Sequence, residues 1–278
     1  HEAGLVYRDT APVNWCPGCQ TVLANEQVLG DGTCERSGDL VERRDMEQWF
    51  YRITTYAQEL LDDLDTVDWP EKVKVMQRHW IGRSEGAEFG LPVADDDGTA
   101  RTDVEPLAVY TTRPDTSFGM TFAVISPEHP RVDELTTDDQ RAAVDAFRAS
   151  VAGRSDIERQ STEGALDKRG VVTGGRVVNP FTGQAIPVFL ADYVLMTYGT
   201  GAIMAVPGQD QRDWDFATAH GCAIVRTVRP PDDFDGEAYV GEGPAINSEF
   251  LDGMGVAEAK ATAISWLENH GYGTGKVN

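Results

Sequence analysis

The stretch Tyr198–Phe216 reads Y-G-T-G-A-I-M-A-V-P-G-Q-D-Q-R-D-W-D-F, and the rest of the chain is arranged around how it folds. Gly199 and Gly201 open it with backbone that a ligand can approach closely. The apolar run Ala202 to Val206 predicts a buried strand. Pro207 and Gly208 end that strand, and Asp210 and Asp213 begin a helix whose apolar face carries Trp214 and Ala217. Two readings of the acids stay open. Carboxylates in a first helical turn complement the helix dipole. A strand-to-helix corner with two acids beside open backbone N–H groups also suits a cationic group joined to a polar ester.

Working outward, Leu107 to Thr112 (L-A-V-Y-T-T) alternates and is β-branched, so it reads as a strand. Arg113-Pro114-Asp115-Thr116 is the turn that ends it. Further strands are expected at Thr102 to Thr112 as a whole, Met120 to Ser126, Gly170 to Val178, Ile186 to Leu190 and Ile224 to Val228. Asn179-Pro180 and Thr182-Gly183 turn the chain between two of them. Asp138 to Val151 predicts a helix with Ala143, Phe147 and Val151 on one face. Val256 to His270 predicts another, with Ala259, Ala263, Trp266 and Leu267 inward. The fold class is α/β: a curved or closed, barrel-like β core decorated with helices.

Residues 1–13 form a lead-in segment, and 14–44 a small ribbon-like module with Cys16-Pro17-Gly18-Cys19 and Cys34-Glu35-Arg36-Ser37. Two C-x-x-C pairs at this separation would signal zinc. The fourth position here is Ser37, a poor ligand, so the thiols are either a weak metal site or a small apolar cluster. Residues 45–82 read as a helical connection. Trp49, Ile53, Tyr56, Leu60 and Leu64 recur at helical spacing from Asp45 to Leu64, and Val73, Met76 and Trp80 suggest a second short helix, all core-facing. Gly82-Arg83-Ser84-Glu85-Gly86 matches G-x-S-x-G. That motif needs a strand before it and a helix after it, and the flanking residues predict neither.

The 278 residues give one large or two small domains, with a formal charge of −22. That acidity argues against autonomous, charge-driven RNA binding, though not against a pocket for one terminal nucleotide. No run approaches the length of a membrane span, and no secretion signal opens the chain. Four cysteines, three of them clustered, do not form a disulfide framework, so a reducing cytoplasm is expected. Gly199-Thr200-Gly201 lacks the third glycine and the βαβ setting of a dinucleotide site. The five histidines are scattered, and His220 before Gly221 suits a helix C-terminus. Cys222 reads as a buried thiol.

T-T-R-P-D-T (Thr111 to Thr116) and Y-G-T-G-A-I-M-A-V-P-G-Q-D-Q-R-D (Tyr198 to Asp213) together resemble the two signature segments of the leucyl-tRNA synthetase editing domain. The resemblance continues through Pro12 to Pro17, Thr21 to Val28, Met76 to Gly86, Ala191 to Met196 and the terminal G-K-V-N. It covers nearly the whole chain. The synthetic signatures H-I-G-H and K-M-S-K-S do not occur in it, so an excised insert is expected.

The resemblance implies an editing domain at 83–240, an exit segment with a helix at 241–278, and hydrolysis of the ester on mischarged tRNA(Leu). It implies that Asp213 binds the substrate α-ammonium with Asp210 close by, that Thr111, Thr112 and Arg113 orient ester and water, and that Thr116 excludes leucine. It implies that Leu195, Tyr198, Met204 and Val206 hold the terminal adenosine. Editing asks for no cofactor and no catalytic metal; zinc at Cys16, Cys19 and Cys34 with Ser37 is a doubtful structural extra. Gln209 departs from the family's frequent histidine, which leaves no histidine base there. Partners are the charged 3′ end of tRNA(Leu) and the remainder of the synthetase, and a monomer is expected. A non-catalytic tRNA-binding module is the alternative, and a general esterase using Ser84 a third.

Overall fold

The computed structural model describes residues 2–151, 169–196 and 199–277. The described residues divide into two compact units, one over His1–Arg83 and one from Ser84 onward.

In the smaller unit β1 (Val6–Cys16) is the centre of an antiparallel sheet, with β2 (Thr21–Leu23) on one side and β3 (Glu42–Tyr51) on the other. The β1–β3 register runs from Val6 opposite Tyr51 to Trp15 opposite Glu42. The expected helix from Asp45 is therefore strand in its first half. Its true period is two: Met46, Gln48 and Phe50 are half-buried, while Glu47, Trp49 and Tyr51 point outward. Cross-strand partners fix this pairing, with Tyr7 stacked on Phe50 at 5.5 Å and the Arg8 guanidinium over Trp49 at 5.6 Å. Helix starts only at α1 (Ala57–Asp63), followed by α2 (Glu71–Ile81). Gly82 caps α2 at φ +65°, a conformation that favours glycine. The apolar residues expected to face a core do not: Trp49, Ile53, Tyr56, Leu60, Met76 and Trp80 are exposed, and only Leu64 is buried.

The larger unit holds two sheets. In one, β4 (Glu85–Leu91) lies between β5 (Leu107–Thr111) and β10 (Gly273–Val277). In the other the order is β7 (Gly170–Val178), β8 (Ala185–Ala191), β6 (Phe122–Ile125), β9 (Ala202–Ala205). The β6–β8 pair is parallel and the rest antiparallel. A parallel pair needs a long crossover, and α3 (Arg141–Val151) lies within it. Among the described residues neither sheet closes, so the barrel-like core becomes two open sheets: β7 and β9 are edges of one sheet, not neighbours. Alternation predicts strands but not their partners, and closure is a property of partners.

Ile224 to Val228 is not a strand; only Val228 makes an isolated bridge, to Ala245. The segment instead lays its backbone against the glycine of the Pro207–Gly208 break. A Cβ on Gly208 would stand 2.3 Å from the Val225 carbonyl oxygen. The core side chains of α3 are Val144 and Val151 with Phe147 partly buried, while Ala143 is exposed. After α4 (Gln211–His220), α5 (Val256–Asn269) buries Ala259, Ala263 and Leu267, and its Trp266 stacks on Phe181 at 4.7 Å. Beneath the second sheet Phe122, Phe189 and Phe216 pack with centroids 5.2–5.8 Å apart. Each such side chain buries a large apolar area, and aromatic geometry adds to it.

Candidate active site

The central strand and helix form where their local sequence asks for them. β9 stops at Ala205, and α4 (Gln211–His220) begins after Asp210. Asp210 has extended backbone at φ −134°, ψ 126°, and its Oδ1 accepts from the N–H groups of Arg212 (2.8 Å) and Asp213 (3.2 Å). Those are helix N-terminal donors without intrahelical partners, so Asp210 is an N-cap. Asp213, one turn in and 6% exposed, points back: its Oδ2 accepts from the Val206 N–H at 2.7 Å. The carboxylate thereby ties the helix start to the strand end. His220 closes the helix before Gly221 at φ +68°, as its position suggested.

The second half of the site is the turn after β5. Thr111 Oγ1 accepts from the Arg113 N–H at 3.0 Å. Pro114–Gly119 then forms a 3-10 turn, fully buried. Thr116, 1% exposed, donates its hydroxyl to the Arg113 carbonyl at 2.9 Å, which holds a β-branched side chain in one rotamer. The Arg113 guanidinium is gripped by Asp115, itself 3% exposed: Nε lies 3.0 and 3.2 Å from its two oxygens and Nη2 2.8 Å from Oδ2. Paired charges at this spacing form charge-assisted, bidentate bonds.

The two halves meet. Ser117 Oγ donates to Met204 Sδ at 3.5 Å. A Cβ on Gly119 would be 3.1 Å from Val206 Cγ1, so the turn passes against the strand end. Asn179, fully buried at the β7–β8 turn, clamps the other side by donating to the carbonyls of Ser117 (2.9 Å) and Met120 (3.3 Å). Leu195, Met204 and Val206 are buried, Thr112 is half-buried, and Tyr198 lies outside the described residues. Gly199 and Gly201 have φ of +62° and +73°, which glycine adopts without strain.

Three residues of this region are given no role in the site by the sequence. Asp115 and Asn179 reveal their partners only in space. Tyr193 stands near the two acids: burial first, then the charges of Asp213 and Asp210, push its hydroxyl well above the usual tyrosine range. That hydroxyl has no hydrogen-bond partner among the described residues. Gln209 is buried, its Oε1 accepting from Thr227 Oγ1 at 2.8 Å, while its Nε2 is without a partner there. Ser84 pairs with the Tyr110 hydroxyl at 3.1 Å and lies between a helix and a strand, the reverse of a nucleophile elbow.

In the smaller unit the sulfur atoms of Cys16, Cys19 and Cys34 lie within 4.8 Å of one another, close enough to hold a metal. The Cys19–Cys34 separation is 3.9 Å, near the edge of about 3.8 Å that a tetrahedron of zinc–sulfur bonds would have. Backbone N–H groups of Ser37 and Arg36 pull the Cys34 thiol down to about 7, and Cys19 is pushed up, first by its hydrogen bond with Cys16. Ser37 Oγ stands 3.1 Å from Cys16 Sγ. Three corners fit zinc, and the fourth bears a hydroxyl, outside zinc's usual donors.

Residues 78–268 match the family model for the leucyl-tRNA synthetase editing domain, and residues 1–85 that for class I tRNA synthetases (I, L, M and V). The leucine–tRNA ligase of Nocardioides sp. is 53% identical over the whole chain, which spans 33% of that protein; that of Salinispora arenicola is 52% identical over 99% of the chain and 31% of its own length. The chain thus spans about a third of these relatives. The ternary complex of the Agrobacterium radiobacter K84 agnB2 LeuRS with tRNA and LeuAMS matches all of the chain, 30% of its own, at a TM-score of 0.67 and 37% identity. The chain belongs to the leucyl-tRNA synthetase family and carries its editing domain.

Proposed function

We propose that the corner built from Thr111–Gly119 and Met204–Asp213 clears tRNA(Leu) charged with norvaline, isoleucine or a similar amino acid. Water adds to the ester carbonyl, and the tetrahedral species collapses to free amino acid and the ribose hydroxyl of the terminal adenosine. Asp213 holds the α-ammonium, and Asp210 fixes the helix that carries it. Thr111, Thr112 and Arg113 orient ester and water, so that catalysis draws on positioning and preset polar groups rather than a covalent nucleophile. Leu195, Tyr198, Met204 and Val206 hold the adenosine. Thr116 fills the space that leucine's branched methyl would need. The protein acts in the cytoplasm as a monomeric synthetase.

A second site is needed because one methylene is worth only about 1–3 kcal/mol in an apolar pocket, as measured in sister synthetases. The observation that carries this reading is the locked Thr116 rotamer: steric exclusion requires a side chain that cannot turn away. Asp213→Asn in the full-length enzyme is the test. The amide oxygen can still accept from Val206, but the charge is gone. Losing a hydrogen bond to a charged group costs about 1.5–3 kcal/mol, so deacylation of norvalyl-tRNA(Leu) should fall about ten- to a hundredfold with leucylation unchanged. Unaltered deacylation would reduce Asp213 to a helix-terminus residue. Zinc at the thiol cluster, with a hydroxyl at its fourth corner, is expected to be labile, and no step uses it.

A further inference from the structure

The sulfurs of Cys16, Cys19 and Cys34 converge within 4.8 Å of one another, and among the described residues no histidine or carboxylate joins that group. Backbone donors hold them in place: the Cys19 N–H gives to Cys16 Sγ at 3.2 Å and the Arg36 N–H to Cys34 Sγ at 3.4 Å. Cys16 and Cys34 are almost fully enclosed, with Leu23, Val28 and Val41 around the cluster. Where a fourth thiolate would complete the pairs, the Ser37 hydroxyl is already engaged twice. It lies 3.1 Å from Cys16 Sγ and accepts from the Asp39 N–H at 3.3 Å. The donor set is thus three sulfurs and nothing else, which selects a soft centre.

Charge narrows the choice. Three thiolates this close repel one another, and enclosure raises the cost of any charge left over. A monovalent ion leaves two of the three charges uncompensated, a divalent ion one, and a trivalent centre none. Zinc must also find a fourth ligand to complete its tetrahedron. A trivalent arsenic centre needs none, because its lone pair occupies that direction. We infer that Cys16, Cys19 and Cys34 form a binding site for trivalent arsenic, taken up from arsenous acid. Each thiol gives its proton to one hydroxyl of the acid, which leaves as water. Three sulfur–arsenic bonds replace three oxygen–arsenic bonds, and no electrons are exchanged. The inference is independent of the editing chemistry.

The test mixes the reduced, metal-free 278-residue chain with sodium arsenite, removes the excess by gel filtration, and weighs the intact protein. The natural chain should retain one arsenic and gain the mass of one arsenic atom less three hydrogens. X-ray absorption at the arsenic edge should show three sulfur neighbours and no oxygen. Cys16→Ser, Cys19→Ser and Cys34→Ser should each weaken retention by more than about a hundredfold, the upper cost of losing a partner outside the ligands themselves. Cys222→Ser should not. Equimolar zinc should leave the arsenic in the natural chain, whereas Ser37→Cys should shift the competition towards zinc. Because the mass and the absorption spectrum are read on the natural chain, a misfolded variant cannot decide the outcome. Loss of arsenic during filtration overturns the inference. So does an adduct short of only two hydrogens, an oxygen neighbour to arsenic, or displacement by equimolar zinc.

Discussion

Residues from Ser84 onward bury their apolar side chains in one another, whereas those before it display theirs. In the larger unit Phe89, Phe122, Phe216, Leu190 and Leu251 are almost fully enclosed. In the smaller one, the buried apolar residues among those described are Cys16, Leu23, Cys34 and Leu64, while Ile53 is 82% exposed. One unit is held by a core, the other by a three-stranded sheet, ion pairs and a thiol cluster. The difference teaches where chemistry can be placed. A site that must hold an ester within a fraction of an ångström needs rigid support. The Thr116 turn has it from Asn179, Met204 and Val206.

Substitutions at matched aromatic positions should break this contrast if it is wrong. Phe216→Ala removes a ring stacked on Phe122 at 5.3 Å and set edge-on to Phe189 at 5.2 Å, at a cost of about 3–5 kcal/mol. Trp80→Ala removes a larger side chain for within about 0.5 kcal/mol, because it is already solvated. Chemical unfolding of the 278-residue chain measures both; similar losses would mean that the smaller unit has a core of its own.

The smaller unit can be given the support it lacks. Ser37→Cys completes two C-x-x-C pairs around the existing thiols, and the variant should bind one zinc per chain where the natural protein holds less. Zinc at about a thousand times its dissociation constant would add about 4 kcal/mol to that unit. Zinc content and melting with and without chelator report it, and one tightly held zinc per natural chain would contradict the reading of Ser37.

The smallest effect separates cap from site at Asp210. Asp210→Asn keeps the cap and should leave stability almost unchanged, whereas Asp210→Ala should lose about 1 kcal/mol. If Asp210→Asn lowers deacylation as far as Asp213→Asn does, Asp210 has a substrate contact beyond its cap.

What was legible in the sequence was local. The apolar run, the Pro207-Gly208 break and an acid before Gln211 predict β9 and α4, because breakers and caps act within a few residues of themselves. β7 from Gly170 to Val178 was bounded by its glycine and by Asn179-Pro180. β3 was not legible: Trp49, Ile53 and Tyr56 share a helical spacing, and the strand that overrides it, β1, is about forty residues away in sequence. Tertiary pairing outweighs a short periodic signal. Asn179 reads as a turn residue, and nothing around it tells that its amide holds Ser117 and Met120. Asp115 sits inside the signature turn, but its grip on Arg113 exists only once the 3-10 turn has folded. Barrel closure failed for the same reason, since it depends on which strands are neighbours.

The central claim, that Thr116 is a steric filter in an ester-hydrolysing pocket, is most directly tested by Thr116→Ala in the full-length enzyme. Its deacylation of correctly charged leucyl-tRNA(Leu) and of norvalyl-tRNA(Leu) would be followed side by side. The account predicts that the variant begins to hydrolyse leucyl-tRNA(Leu) while still clearing norvalyl-tRNA(Leu). A variant that spares leucyl-tRNA(Leu) as well as its parent does would contradict it.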